Sequence, residues 1–235
     1  NRASLMIEDG ADWLDIGGES TRPGATAVDE GEEMARVLPI ITAIRERFTK
    51  VGISIDTRRA SVARQALLAG ADMINDVSAL SDPLMLEVVV EFGCPICIMH
   101  MQGSPERMQI DPIYGDVVDE VRTILTTVTK MLTEGGISPN LIIVDPGIGF
   151  GKLLEHNLSL LPAGRQIVPN QEMSLLWGVS RKRMFDDLLG RSESENRLAG
   201  TLGVAAMAKS LGVDIIRVHD VREHADLFAT MAAME

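Results

Sequence analysis

At 235 residues the chain has the length of one large domain, close to the roughly 250 of a (β/α)₈ barrel. A net charge of −12, from 34 acidic against 22 basic residues, argues against a nucleic-acid or anionic-membrane surface, since either needs a basic face. Two cysteines exclude a disulfide scaffold, and no apolar run approaches the roughly 18–20 residues of a membrane span. A soluble, cytoplasmic α/β protein with an aliphatic, Met-supplemented core is expected, binding neither nucleic acid nor membrane.

The chain opens on helix-like NRASLMIEDG and turns at Gly10 into the strand WLDIGG. Met34, Val37, Ile41, Ile44 and Phe48 follow a helical period, with Pro39 expected to kink it. VGISIDT (51–57) reads as a strand. Junctions at Gly70, Gly93 and Gly212 repeat the pattern of Gly10: an apolar-periodic stretch ends at glycine and a short strand follows, here MINDV, ICIMH and IIRVHDV. Glycine just past a helix supplies the left-handed residue such a turn needs. Between these lie a helix over 117–133, strands LIIVDPG (141–147) and SLLWGVS (174–180), and a stretch at 160–173 that is a poor helix by its own letters. Ser192 and Glu195 have capping-box spacing ahead of Leu198, Leu202, Ala205 and Ala208. The strands are apolar throughout rather than alternating, the sign of parallel strands covered on both faces. Seven strand–helix units behind a leading helix predict one domain over 1–235, an α/β (β/α)₈ TIM barrel whose first strand is absent from the sequence. A doubly wound sheet is the alternative, but the first turn has no G-x-G-x-x-G.

In a barrel the chemistry sits at the C-terminal strand ends. Those positions hold Glu19 to Arg22, Asp56 to Arg58, Asn75-Asp76, His100 to Gln102, Asp145, Ser180 to Lys182 and Arg217 to Asp220. One such group is readily a solvated loop charge, but independent loops have no reason to repeat it seven times. Asp56, Asn75 and Asp145 follow buried strand, where an ionised carboxylate is costly unless something binds it. They suit a planar heterocycle with an amino-pyrimidine edge, because a carboxylate accepts two adjacent N–H donors. Arg22, Lys182, Arg217 and His219 form a cationic group fitted to phosphate or diphosphate.

LDIGGESTRPGA (14–25), SIDT (54–57), IND (74–76), MHMQG (99–103), DPGIGFGK (145–152), GVSRK (178–182) and RVHDV (217–221) together resemble the dihydropteroate synthase family. That family joins 6-hydroxymethyl-7,8-dihydropterin diphosphate to p-aminobenzoate, giving 7,8-dihydropteroate and diphosphate for folate synthesis. The resemblance implies that Asp56, Asn75, Asp145 and Lys182 hold the pterin, with Met99 and Phe150 flanking its ring. It implies that Arg217 and His219 bind diphosphate with Mg²⁺, and that Thr21, Arg22 and Pro23 lie on a loop closing over p-aminobenzoate. Asp56, Asp145, Lys182 and Arg217 are the expected catalytic set. Arg183, where many members carry Ser, is placed to serve the aminobenzoate carboxylate. A homodimer through barrel helices is also implied.

The family's Asn-x-Thr-Pro-Asp-Ser-Phe type motif, whose Asn helps bind the metal, is absent from this sequence. A further N-terminal segment of roughly one strand plus loop is expected, pairing between the strands at 13–17 and 213–219. Its loop would supply a ligand for the diphosphate or metal. Two other functions compete: a methyltetrahydrofolate-type pterin methyltransferase, which has no use for the cations, and a non-catalytic pterin-binding protein. Lesser motifs fall away. Cys94-x-x-Cys97 enters a strand where i and i+3 face opposite ways, and Gly147-x-Gly149-x-Gly151-Lys152 lacks the Ser/Thr of a Walker A loop. Trp13 and Trp177 read as core or barrel wall, and His100 carries no assigned role.

Overall fold

The computed structural model describes residues 1–21, 24–103, 108 and 110–234. Helix α1 (Arg2–Glu8) leads into β1 (Trp13–Gly17), α2 (Glu30–Arg47), β2 (Gly52–Asp56), α3 (Ala60–Leu68), β3 (Met73–Asp76) and α4 (Met85–Phe92). Then come β4 (Ile96–Met99), α5 (Val117–Glu134), β5 (Ile142–Asp145), α6 (Leu154–Ala163) and β6 (Ser174–Trp177). Helices α7 (Met184–Leu189) and α8 (Leu198–Ala208) precede β7 (Ile215–Ile216) and α9 (Val221–Ala232). The described strands form one parallel sheet in chain order, β1 to β7, so each connection crosses to the adjacent strand. This is the expected succession of barrel units.

The sheet must curl, because its two ends meet. Arg217, just past β7, places Nε 2.7 Å from Asp15 Oδ2 on β1. Outside the sheet, α1 meets α9 through Arg222 and Asp9 at 2.6 Å. Among the described residues β1 and β7 are the sheet's edges and do not pair with each other.

All four junction glycines have positive φ: Gly10 +104°, Gly70 +111°, Gly93 +58° and Gly212 +71°. Behind two of them lies the same clamp. Asp72 Oδ2 accepts the Ile53 N–H of the preceding strand at 2.8 Å and pairs with Arg45, which also caps the Gly70 carbonyl. Asp214 Oδ2 likewise accepts the Leu175 N–H at 2.8 Å and pairs with Arg165, which bonds the Gly212 carbonyl. Each clamp satisfies a backbone donor at the bottom of the barrel that would otherwise be unpaired.

Strand residues alternate between two environments. Ile53, Ile55, Ile74, Ile96, Ile98, Ile142, Val144, Leu175 and Trp177 join the main core under the helices. Met73, Cys97, Ile143 and Leu176, with Ile215 against them, form a separate apolar plug in the lumen. One step further toward the C-terminal ends, the lumen positions become Asp56, Asn75, Met99 and Asp145. The buried, continuous apolar strands thus conceal a period of two whose inward positions turn polar at one end.

Four local expectations change. The last strand shortens to Ile215–Ile216, although the Arg217 N–H still donates to the Trp177 carbonyl at 3.0 Å. The capping box does not form: Ser194–Arg197 is a 3₁₀ turn, and the Arg197 guanidinium instead bonds the carbonyls of Ser192, Arg191 and Arg181. The stretch at 160–173 begins inside α6, which carries Pro162 in its last turn and ends at Gly164, where a Cβ would lie 2.6 Å from the Leu211 carbonyl oxygen. Trp177 is fully buried, whereas Trp13 is 45% exposed and lies over Gly52 rather than inside the core.

Candidate active site

The polar layer of the lumen is held by the strands beneath it. Register places Asp56 of β2 beside Asn75 of β3, and Met99 of β4 beside Asp145 of β5. Gly17 of β1 faces Asp56; a Cβ there would meet the Asp56 Cβ at 3.3 Å. Asp56, Asn75 and Asp145 are all buried. Burial, then the Asp15 charge, raises Asp56 from 3.8 to about 7, against the pull of Arg217. Burial also raises Asp145, opposed by the Gly147 N–H and by Lys182, Arg217 and Lys152.

Arg217 bridges two carboxylates, with Nε on Asp15 and NH2 2.9 Å from Asp56 Oδ2. Burial works against its charge, but Asp15, Asp56 and Asp145 outweigh this and raise it. Lys182 Nζ stands 3.7 Å from the centre of the Phe150 ring, a cation–π contact. Its ammonium is lowered to about 8, by burial first, although Asp145 holds the charge. Arg181 just before it has φ +58°, a strained value for a side chain, kept by bonds from its N–H to Thr201 Oγ1 and from Arg197 to its carbonyl. His219 is oriented by Ser180: its backbone N–H donates to Ser180 Oγ at 3.1 Å and its Nδ1 lies 3.0 Å from the same atom.

The loop after β5 is tied down from below. Gly147 N–H donates to Asp145 Oδ1 at 2.7 Å. Gly147 has φ +68°, and a Cβ there would sit 1.8 Å from the His100 carbonyl oxygen, so only glycine fits. Lys152 Nζ is buried and reaches His100 Nδ1 (2.9 Å) and the carbonyls of Gly147 (3.0 Å), Phe150 (3.0 Å) and His100 (3.3 Å). Burial and Lys152 lower His100 to about 3, so it is a neutral acceptor for this lysine. That supplies the role the sequence left unassigned to His100: a loop staple. Met99 and Phe150 sit in one apolar cluster with Val77 and Met108, providing the wall beside the acceptors.

Not every expected residue converges. Thr21, Arg183 and His219 line the same cavity as Asn75, Phe150 and Lys182. Arg183 stands at the start of α7 with its side chain 78% exposed, 3.7 Å from Asp187. Arg22 and Pro23 lie outside the described residues. Both cysteines are free and buried on opposite sides of the strand, Cys97 in the lumen plug and Cys94 in the outer core.

Sequence reasoning missed three features. Asp15 was hidden inside an otherwise apolar strand, two residues before Gly17. Lys152 was set aside with the failed phosphate loop. Under the loop after β1, fully buried Glu33 pairs with Arg59 and accepts from Thr57 Oγ1 at 2.6 Å. Arg59 also bonds Glu19 (2.7 Å) and the Val28 carbonyl, while Glu19 accepts the Val28 N–H at 3.2 Å. The signal for Asp15 was the period of two that places it, like Asp56, in the lumen.

Chemically, the lumen offers a row of acceptors with two cations and an aromatic wall beside it. Similar proteins carry the same chain pattern. The model of the pterin binding enzyme family matches residues 1–219. The dihydropteroate synthase of Escherichia coli (strain K12) is 45% identical over 237 residues, covering 99% of this chain and 83% of that protein. The crystal structure of the Yersinia pestis dihydropteroate synthase with a sulfonamide drug complex matches with a TM-score of 0.94 at 40% identity, over 99% of this chain and 84% of that one. The Burkholderia cenocepacia dihydropteroate synthase complexed with 7,8-dihydropteroate matches at 0.92 with 41% identity, over 99% and 85%. With its barrel, its lumen acceptors and this degree of likeness, the chain belongs to the dihydropteroate synthases, within the family of pterin-binding enzymes.

Proposed function

We propose that this chain joins 6-hydroxymethyl-7,8-dihydropterin diphosphate to p-aminobenzoate, releasing diphosphate and giving 7,8-dihydropteroate. The observation that carries the reading is one lumen in which buried Asp56, Asn75 and Asp145 stand beside Lys182 and Arg217. The carboxylates accept the N–H donors of the pterin edge, and Phe150 and Met99 flank its ring. The C–O bond from the C6 methylene to diphosphate breaks, leaving positive charge delocalised into the pterin near Asp56 and Asp145. Arg217, Lys182 and His219 take the developing negative charge of the leaving group. The aniline nitrogen then forms the new C–N bond and loses a proton. Charge fixed in place before reaction is the main catalytic contribution, and exclusion of water protects the cation. Thr21, Arg22, Pro23 and Arg183 are assigned to the aminobenzoate side.

Mg²⁺ belongs to this reading as a companion of diphosphate. Among the described residues no group of three or more His, Cys, Asp or Glu is placed to hold a metal ion. The residues present form no metal cage, so no step is routed through the ion; Mg²⁺ commonly binds through substrate phosphates and water. A homodimer through the barrel helices is part of the proposal, supported by exposed Leu188, Leu189 and Met207 on α7 and α8. So is a cytoplasmic location; among the described residues no helix is long and apolar enough to cross a membrane. The test is diphosphate release measured with and without p-aminobenzoate. Release that depends on p-aminobenzoate and matches dihydropteroate formed is expected; absence of that dependence overturns the proposal.

A further inference from the structure

We propose that Asp15 is a positioning residue of this site, which turns the Asn75 amide so that its carbonyl oxygen faces the pterin and holds Arg217 in reach of Asp56. The inference rests on the synthase reading for what binds there, and on geometry for what Asp15 does. Asp15 Oδ2 receives two donors: Arg217 Nε at 2.7 Å and Asn75 Nδ2 at 3.2 Å, with Asn75 Nδ2 also 3.5 Å from Oδ1. A carboxylate can only accept, so the Asn75 amide has one permitted orientation, its NH₂ toward Asp15 and its oxygen away. That makes Asn75 a third acceptor beside Asp56 and Asp145 and matches a ligand edge made of donors. Without Asp15 the amide could flip and present a donor to a donor.

The same carboxylate fixes the guanidinium. Arg217 uses Nε on Asp15 and NH2 on Asp56, a fork whose two contacts come from neighbouring strands. Asp15 also acts on Asp56 directly by like charge. The groups facing Asp56 are Asp15 from β1, Glu33 from α2, Arg217 beyond β7, Lys182 beyond β6 and the Cys97 thiol of β4. Of these, only Asp15 both touches Arg217 and orients Asn75.

The test is Asp15→Asn in the full chain, with Asp15→Ser as a second variant. Affinity for 6-hydroxymethyl-7,8-dihydropterin is expected to fall roughly tenfold, as for the loss of one oriented bond to a charged group. The acidic limb of kcat/KM against pH is expected to move down by roughly half a unit or more, because removing a like charge eases ionisation of Asp56. A residue that merely supports the fold would lower activity without moving that limb. In the unmodified protein, the Asn75 side-chain amide protons should exchange more slowly than a free amide, a measurement that needs no variant. Unchanged affinity and pH profile in a folded variant, or free exchange at Asn75, overturns the proposal. Loss of p-aminobenzoate-dependent diphosphate release in the unmodified chain would instead overturn the synthase reading.

Discussion

Replacing Asp145 by Asn tests the pterin site most sharply, because the structure determines which end of the new amide faces the ligand. Asp145 Oδ1 accepts the Gly147 N–H at 2.7 Å, and that donor is fixed by a turn only glycine can make. In Asp145→Asn the amide oxygen must keep this bond, so the NH₂ group replaces Oδ2 and points at the ligand's own donors. One charge-assisted hydrogen bond is lost, at about 1.5–3 kcal/mol, and one buried donor is left unpaired, at about 1–3 kcal/mol. Together these give about 2.5–6 kcal/mol, or roughly 70- to 25,000-fold in Kd. Stability should respond differently. Burial already disfavours the Asp145 charge, so an amide of the same volume should leave Tm unchanged within about 4 °C or raise it. Calorimetric titration with 6-hydroxymethyl-7,8-dihydropterin, beside thermal unfolding, reads both quantities. Near-normal affinity would remove Asp145 from the site; a matching collapse of Tm would make its role structural.

Arg217→Ala should weaken binding of the diphosphate-bearing pterin much more than binding of free hydroxymethylpterin, as titration of both ligands will show. Equal losses would take Arg217 out of the anion pocket. Lys152→Met strips the donor from three carbonyls and His100 Nδ1 at once, so a loss of about 3 kcal/mol or more is expected in urea unfolding, with pterin affinity falling too. A variant as stable as the parent would show that the staple is dispensable. Asp56 binds its proton more tightly folded than unfolded, being raised from 3.8 to about 7, so its contribution to stability is complete below about 3.8 and is lost as pH rises through about 7. The stability gap between the parent and Asp56→Asn should therefore shift in favour of the variant from pH 5 to pH 8; a flat difference would contradict the assigned burial.

The order of elements was legible because the signals are local. Gly10, Gly70, Gly93 and Gly212 each had to take a positive φ, and each does. The strand-end polar residues were legible because Asp56, Asn75 and Asp145 interrupt buried apolar runs. What escaped depended on pairs far apart in the chain. Arg217 counted as a free cation for diphosphate, yet it crosses the closing sheet to two carboxylates, and no local pattern links residues 217 and 15. Lys152 stood in a glycine run that fails as a phosphate loop; the fold of the loop over His100 buries it. The capping box at Ser192 does not form; Ser194–Arg197 is a 3₁₀ turn, and the Arg197 guanidinium takes the carbonyls of Arg181, Arg191 and Ser192.

The site gathers groups whose charged forms burial disfavours. Asp15 and Asp56 share one guanidinium, Asp145 accepts the Gly147 N–H, and Lys182 lies over the face of Phe150. Burial pushes both Asp56 and Asp145 up and pushes Lys182 down, disfavouring the charged form of each. A hydrophobic lumen would be more stable, and the layer below, built from Met73, Cys97, Ile143 and Leu176, shows that this barrel can build one. The contrast between the two layers, one strand step apart, marks the upper one as the candidate site. Below, the inward positions are apolar; above, buried Asp56, Asn75 and Asp145 stand beside Arg217, an arrangement that fits the donor-edged, anion-bearing ligand of the proposed function.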